Sequence, residues 1–453
     1  MRHASIRRFV RQVTAGGVAL AVAVIAACSS SSSSGSGSPG SGASGSSGSS
    51  GSGGTVTITY WSSSTQAEID WLDSHFNASH PNIKVHGQYI ASADETTAKE
   101  VSALQTNSEP NVIIGQDPSA LPFLAESGKI VDLSQQLAAE TGSLYPGIKN
   151  ALIYQGKQLG MALGGVGDYV LFFNKKDFAA AGISAPPATW AQLEADAIKL
   201  SKPAKHHYGI YIPWGNSEWT SYLWESLLWA NGGQFLSADG KRVAFEGQPG
   251  VQALTTWVNL VRKDHAAPTT SYAQAGSYDG APAFASDAVS MIVDGQWAVS
   301  TFKTAGVDYG VALVPAGTSG HSATNIGIGV ATVFTQGSTA QQAAAVEFVK
   351  WLAQPPTGGY LVSVTGGLPS SPDQLNQPLV QQLQNSEATY ATFAQQLQYG
   401  QTRPTIPAYT AISTALATEI QNTLNGTETP AFALAKAASE GDSAIANGSG
   451  SGA

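Results

Sequence analysis

Val56, Ile58 and Tyr60 alternate with threonines in TVTITYW, the two-residue period of a half-buried strand. Ile69, Leu72 and Phe76 then recur at helical spacing, which predicts a helix that Pro81-Asn82 stops. Ile83-Lys84-Val85 reads as a second strand, Asp94 to Thr106 as a second helix and Asn111 to Ile114 as a third strand. Strands alternating with helices of this length imply right-handed crossovers and a parallel sheet. Ligands of such sheets sit beyond the carboxyl ends of strands. Two stretches meet that condition: Ser62 to Gln66, with Trp61 at the strand's end, and Gln116-Asp117. Both also suit helix caps, where Ser, Thr and Asp are favoured for structural reasons. Asp117 keeps both readings, whereas Ser64 and Thr65 read first as caps.

The stretch Gly160 to Gln192 changes character. Gly160, Gly164, Gly165 and Gly167 surround Asp168 and Tyr169, and the apolar run Val170 to Phe173 follows as a buried strand. Glycine lets a backbone bend or approach a ligand closely. An acid beside an aromatic suits a polar ring-shaped ligand, although by itself the window also fits an ordinary loop. Thr189 and Trp190 then open a helix through Leu200.

Trp214, Trp219, Trp224 and Trp229 stand five residues apart. Five residues turn a helix by about 140°, so these rings cannot share one face, and some are expected to point away from the core. Trp219, Tyr222, Leu223, Ser226 and Leu227 form a packing stripe. Trp214 and Trp219, near the helix start, are candidates for stacking on a sugar ring, with Asn216 and Glu218 as hydroxyl partners. Trp224 and Trp229 are assigned to the core. MIVDGQW, residues 291 to 297, holds a strand and then a turn with Asp294, Gln296 and Trp297. Gly327 and Gly329 precede a strand from Val330 to Phe334, and the next helix turns Ala344, Phe348, Trp351 and Leu352 to one side. Arg403 is isolated between loop signals and is followed by Tyr409 at a helix start. It reads either as a surface or inter-lobe ion pair or as an anion contact.

In order, the YW-ending strand, VIIGQD, LFFNKKDF, PPATW, LLWANGGQF, FASDAVSMIVDGQWAV, YGVALVP, TGGLPSSP and RPTIPAY resemble the extracellular solute-binding proteins of ABC importers. The likeness is to the sugar-binding group that includes maltose-binding protein. It runs from Thr55 to about Ala446. The resemblance implies an α/β, two-lobed type II periplasmic-binding-protein fold, with three inter-lobe crossings and a central ligand cleft. It places lobe one at 55–167 plus 325–367 and lobe two at 168–324 plus 368–446; beyond it, the Ser/Gly-rich composition of 447–453 reads as a disordered tail. It further implies a cleft-lining tryptophan at Trp297 and permease subunits of an importer as partners. In several relatives a small hydroxyl residue stands near Asp168, so a carboxylate here favours a hydroxyl-rich neutral ligand over an anion. An arginine near Arg403 meets an anionic group in some relatives, which keeps a glycerol-3-phosphate-like polyol open, although tight phosphate capture recruits more donors than one arginine. The expected site is therefore Trp61, Gln66, Gln116, Asp117, Asp168, Tyr169, Trp214, Trp219, Asp294, Trp297, Gly327, Arg403 and Tyr409.

The ends of the chain set its address. Arg2, Arg7, Arg8 and Arg11 precede a short apolar run, Ala15 to Ala27, which is shorter than the roughly 20 residues that span a bilayer and reads as a signal peptide, 1–27. Ile25-Ala26-Ala27-Cys28 resembles a lipobox, so Cys28 is the expected lipidation site and the chain is expected on the outer face of the bacterial cytoplasmic membrane. Cys28 is the one cysteine, which rules out an intrachain disulfide. Residues 28–54 then form a disordered Ser/Gly tether with a reach of roughly 25–30 Å. Removing the leader's four arginines takes the formal charge from −9 to −13. With no basic run, nucleic acid is excluded as a partner and the membrane is met only through lipid.

No Walker A loop, HExxH or GxSxG occurs, and His206-His207 lies in a polar loop without adjacent ligands. No catalytic residue, metal or cofactor is expected, and the chain reads as a monomer. The function expected is capture of a mono- or oligosaccharide. Alternatives are an anionic polyol phosphate or peptide receptor, and a secreted carbohydrate-active hydrolase, for which Asp117 and Asp168 would be the carboxylates to test.

Overall fold

The computed structural model describes residues 54–90, 93–273 and 279–448. Cys28, the leader, the tether up to Gly53 and the last five residues lie outside them. Two sheets and their flanking helices form two α/β lobes, each around its own apolar core.

The first lobe begins as periodicity predicts, with β1 Val56–Ser62, α1 Gln66–Ser79, β2 Ile83–Tyr89, α2 Ala93–Thr106 and β3 Val112–Gln116. β2, β1 and β3 are parallel neighbours, with Val56 opposite Ile83 and Tyr60 opposite Val112. The sheet does not stay parallel. Val330–Val333 joins β3 antiparallel, and Met161–Ala162 joins that strand antiparallel at the far edge. A strand that arrives from the other lobe comes without a crossover helix, so nothing constrains it to run with its neighbour. Thr65 caps α1 by accepting from the Glu68 amide at 3.2 Å. Ile69, Leu72 and Phe76 are buried under α1 as their spacing requires, beside Phe348 and Leu352 of the helix Thr339–Leu352. Ser338 starts that helix with a capping box to Gln341, a device that contributes about 1 kcal/mol.

The second lobe centres on Tyr169–Asn174, with Met291–Gly295 and Tyr309–Ala312 antiparallel on its two sides. Its core is built on the helix Glu218–Ala230, in which every residue from Trp219 onward is buried. The expectation that some of its tryptophans point away from the core is corrected here. The helix is packed around most of its circumference and borders the cavity only at its first turns, so rings about 140° apart are all buried. Trp224 is fully buried, edge-on to Phe245 at 6.0 Å, and Trp229 packs in the same core.

The segments read as crossings are hydrogen-bonded to one another. Val166 exchanges both backbone bonds with Leu368, at 2.8 and 2.7 Å. Gly167 does the same with Gly327, at 2.8 Å each way. Two steps further on, Thr324 and Asn325 run parallel to Gly400 and Gln401. Glycine is required here by close approach: a Cβ on Gly164 would lie 2.1 Å from the Gly358 carbonyl oxygen. The helix Tyr390–Gln396 spans the junction, with Tyr390 in the core of the first sheet and Phe393 beside the second.

Candidate functional site

A cavity of about 780 Å³ lies beside these crossings. β3 ends into it with Gln116 and Asp117, the crossings supply Gly165, Gly167, Gly327 and Ile328, and the second lobe supplies Glu218, Trp219, Tyr222 and Trp297. Arg403, Tyr409, Thr410 and Thr414 complete that side, and Thr96, Glu100 and Val101 of α2 face them.

The charged groups are already paired across the cavity. Arg403 Nη2 donates to Asp117 Oδ2, and Nη1 donates to Glu218 Oε1 at 2.8 Å. Its guanidinium also lies over the Tyr222 ring, 4.6 Å from the centroid. Asp117 follows β3 of the first lobe and Glu218 opens the central helix of the second, so one arginine ties the two lobes. Burial opposes the charge on Arg403, but Asp117 and Glu218 outweigh it and hold the guanidinium well above its usual pKa. Asp117 accepts from the Ser119 amide at 2.9 Å as well, so it is a helix cap, the structural one of its two readings, and at the same time a partner of Arg403.

Behind this pair runs a buried polar chain. Tyr409 donates from its single hydroxyl proton toward Glu218 at 2.8 Å or Glu225 at 3.1 Å, and Ser413 reaches Glu218 Oε2. Glu225 also accepts from Asn325 Nδ2. Burial first, then the nearby Glu218 charge, push the Glu225 carboxyl well above its ordinary pKa. On the opposite wall, Gln116 donates to Glu100 and accepts from the Thr332 hydroxyl. Burial pushes the Glu100 carboxyl up to about 7, against the lowering effect of that hydrogen bond.

The aromatic wall is ordered. Trp219 stacks on Tyr222 with centroids 5.8 Å apart, and stands edge-on to Trp297 at 5.9 Å and 73°. Trp219 Nε1 donates to the Asp279 carbonyl at 3.1 Å, which fixes its ring plane. Trp297 follows the strand Met291–Gly295 and lies close over Gly295 and Gly167, where no side chain intervenes.

Of the expected residues, Gln116, Asp117, Trp219, Trp297, Gly327, Arg403 and Tyr409 line the cavity. Six others do not. Trp61 sits in a small core with Ile113 and Phe334, beneath the Lys99 ammonium at 4.0 Å, because its side of β1 faces α2. Gln66 is exposed in the first turn of α1 and donates to Asp70 at 2.8 Å. Asp168 is fully buried and accepts from Gln296 Nε2 at 2.9 Å. Tyr169 points the other way along the strand, into the core, and donates to the Tyr222 carbonyl at 3.0 Å. Trp214 is half-buried at the core's margin, its amide donating to Asp279 at 3.1 Å. Asp294 is enclosed and accepts from the Gly295 amide at 2.7 Å, and burial pushes its carboxyl up to about 7. Asn216, an expected hydroxyl partner, is exposed and outside the cavity.

Glu100 and Tyr222 were not among the expected site residues. Glu100 left a trace in the sequence: Thr96, Glu100 and Ala103 are the buried stripe of α2, and a small or polar stripe where large apolar residues belong marks a helix facing something other than core. Tyr222 was hidden by its regular place in an apolar stripe. Among the described residues no helix is long and apolar enough to cross a membrane.

Comparison with known proteins agrees with this architecture. The family model of the bacterial extracellular solute-binding proteins matches residues 57–358. A chain of Brucella abortus named only as a binding protein is 25% identical over 279 residues, covering 61% of this chain and 65% of that one. The maltotriose-binding protein of Pyrococcus abyssi is 23% identical over 293 residues, covering 64% and 60%. The chain thus aligns with somewhat less than two thirds of the length of these relatives. Among solved structures, an ABC transporter solute-binding protein of Thermotoga lettingae bound with α-D-tagatose has a TM-score of 0.77 at 23% identity, covering 86% of this chain and 100% of that one. An ABC substrate-binding protein of Listeria monocytogenes in complex with cycloalternan has a TM-score of 0.76 at 23% identity, covering 87% and 99%. At this identity the likeness carries the fold, a two-lobed type II periplasmic-binding-protein architecture.

Proposed function

The chain belongs to the bacterial extracellular solute-binding proteins, and we propose from this that it captures a neutral mono- or oligosaccharide between its lobes and delivers it to the permease subunits of an ABC importer. One observation carries the choice of ligand: Arg403, the one cationic side chain among the described residues lining the cavity, is already held by Asp117 and Glu218. An anion entering here would meet carboxylates and no free cation, which disfavours a polyol phosphate. Trp219 and Trp297 offer aromatic surfaces to the C–H face of a sugar ring, and Glu100, Gln116, Asp117 and Glu218 offer acceptors to its hydroxyls. The cavity volume falls within the roughly 300–1,000 Å³ common for small-ligand sites. The sugar-named relatives and sugar-bound neighbours support the same class.

Lobe closure would follow from contacts made from both sides, with the backbone pairs at Val166–Leu368 and Gly167–Gly327 as the flexing ladder. Lobe limits near Gly167, Asn325 and Gly367, lipid attachment at Cys28, and a monomer without catalytic activity complete the proposal.

Isothermal titration with maltose, maltotriose, tagatose and glycerol 3-phosphate tests it. Binding of at least one neutral sugar without its cleavage is expected. Tighter binding of the phosphate, or release of shorter sugars on incubation, overturns it. Detergent partitioning of wild type against Cys28→Ser, expressed in a lipoprotein-processing bacterium, tests the anchor separately.

A further inference from the structure

His207, Asp177 and Asp287 meet on the second lobe, away from the cavity and from distant parts of the chain. Asp177 is in the first turn of the helix Lys175–Ala180, His207 is in the loop before Tyr208, and Asp287 occupies a turn ahead of the strand Met291–Gly295. Backbone pairing fixes the meeting: Tyr208 bridges Val289, and the Asn174 amide donates to the Ser290 carbonyl at 2.9 Å. One ligand atom from each of the three side chains lies within 4.8 Å of the others.

The hydrogen bonds determine what the imidazole can do. His207 Nδ1 lies 2.8 Å from the Asp287 backbone oxygen. A carbonyl only accepts, so Nδ1 carries the proton and the neutral ring presents its lone pair at Nε2. Nε2 faces Asp177 Oδ2 at 3.5 Å and Ser290 Oγ at 2.8 Å, and the same hydroxyl is 2.8 Å from Asp177 Oδ2. The serine has one proton for two acceptors. Whichever of Nε2 and Asp177 Oδ2 takes that proton, the other is left without a donor unless a cation or a second ring proton is there. A histidine whose other nitrogen is fixed on a backbone carbonyl is also the usual arrangement of a metal-ligating imidazole.

The geometry points to a divalent transition-metal site, of the zinc class, formed by His207 Nε2 and the carboxylates of Asp177 and Asp287. One imidazole and two carboxylates suit such an ion, and its two positive charges balance the two acids. Ligands at about 2.0–2.2 Å from a tetrahedral zinc stand roughly 3.3–3.6 Å from one another, a spacing that His207 Nε2 and Asp177 Oδ2 already have at 3.5 Å, so Asp287 is the ligand that has to close, by up to about an ångström. Asp287 is exposed, and among the described residues its side chain is held by Asn174 Nδ2 alone, at 3.2 Å, so it can make that movement. The site would pin three segments of the second lobe and leave coordination positions open to water.

The test uses tag-free, chelator-washed protein titrated with zinc chloride alone, by calorimetry and against a colorimetric chelator. Uptake of one zinc per chain is expected. His207→Ala should abolish it, Asp287→Asn should weaken it at least tenfold, and His80→Gln should leave it intact. Circular dichroism identifies any variant that fails to fold, and Asp287→Asn, on an exposed turn, is the safeguard. No uptake, or uptake unchanged in His207→Ala, overturns the proposal. So does an NMR spectrum in which the His207 ring stays doubly protonated at pH 8 with zinc present, which would make the occupant a proton.

Discussion

Gly167 lies directly beneath Trp297: a Cβ built on the glycine would be 2.8 Å from Cζ3 of the indole. A glycine that pairs with Gly327 thus sets the position of a ring that lines the cavity, and under the proposed function this brings a lobe crossing into contact with the ligand surface.

Gly167→Ala should therefore weaken sugar binding about as much as the loss of a direct contact, since the ring has to move a few tenths of an ångström or more. Trp297→Ala should cost well over tenfold, about 1.4 kcal/mol or more, with the fold retained. Calorimetry on both variants checks this. Unchanged affinity in Trp297→Ala removes the ring from the site, and unchanged affinity in Gly167→Ala shows that its position is not critical.

Arg403→Met should leave Asp117 and Glu218 facing each other without a counter-charge. Breaking a buried pair at one partner costs roughly 3–5 kcal/mol. With both acids partly exposed, about 2 kcal/mol of lost stability is expected. X-ray scattering of the ligand-free variant should show a larger radius of gyration than wild type, because the two lobes are no longer tied. An unchanged radius would mean that the crossings alone hold the lobes together.

The Glu100 carboxyl is raised by burial to about 7 in the folded protein, against about 4.5 when unfolded. Between these values the unfolded chain has lost a proton that the folded chain keeps. Its contribution is therefore full below about pH 4.5 and lost as pH rises through about 7. Glu100→Gln removes that dependence and should be more stable than wild type at pH 8 by about 1–3 kcal/mol. Urea melts of both proteins at pH 5 and pH 8 give the comparison. A wild-type advantage at pH 8 would show that Glu100 is ionised without penalty.

Asp168→Asn should leave the sugar affinity as it is. The side chain is fully enclosed, burial pushes its pKa well up, and it accepts from Gln296 at 2.9 Å, a bond that an amide oxygen can reproduce. The selective role expected for Asp168 requires contact with ligand, and the side chain does not reach the cavity. A change of more than about threefold in affinity for a neutral sugar, read by calorimetry, would restore it to the site.

The order of elements was legible because it depends on neighbours in sequence. Alternation in TVTITYW and the spacing of Ile69, Leu72 and Phe76 each fix a local period, and the burial of one face follows. Within Gly160 to Gln192, the run GGVGDYVLFF reads as a lobe crossing only alongside the other segments in register, and by itself as a loop. Asp117 and Arg403 were readable as special residues but not as a pair, since 286 positions separate them.

The sequence by itself thus determined the local periods, the acidic balance of the chain and the family order of motifs. Tertiary structure alone decided which acids face the cavity. Asp168 and Glu100 are both carboxylates at positions that alternate or recur toward one side of an element, and no local rule ranks them. Their roles depend on what lies opposite: Gln296 closes over Asp168, while Glu100 borders open space. The same holds for His207, a loop residue in sequence that folding sets between two acids. Burial and charge pairing are properties of a site's surroundings, and those surroundings come from segments far apart in the chain.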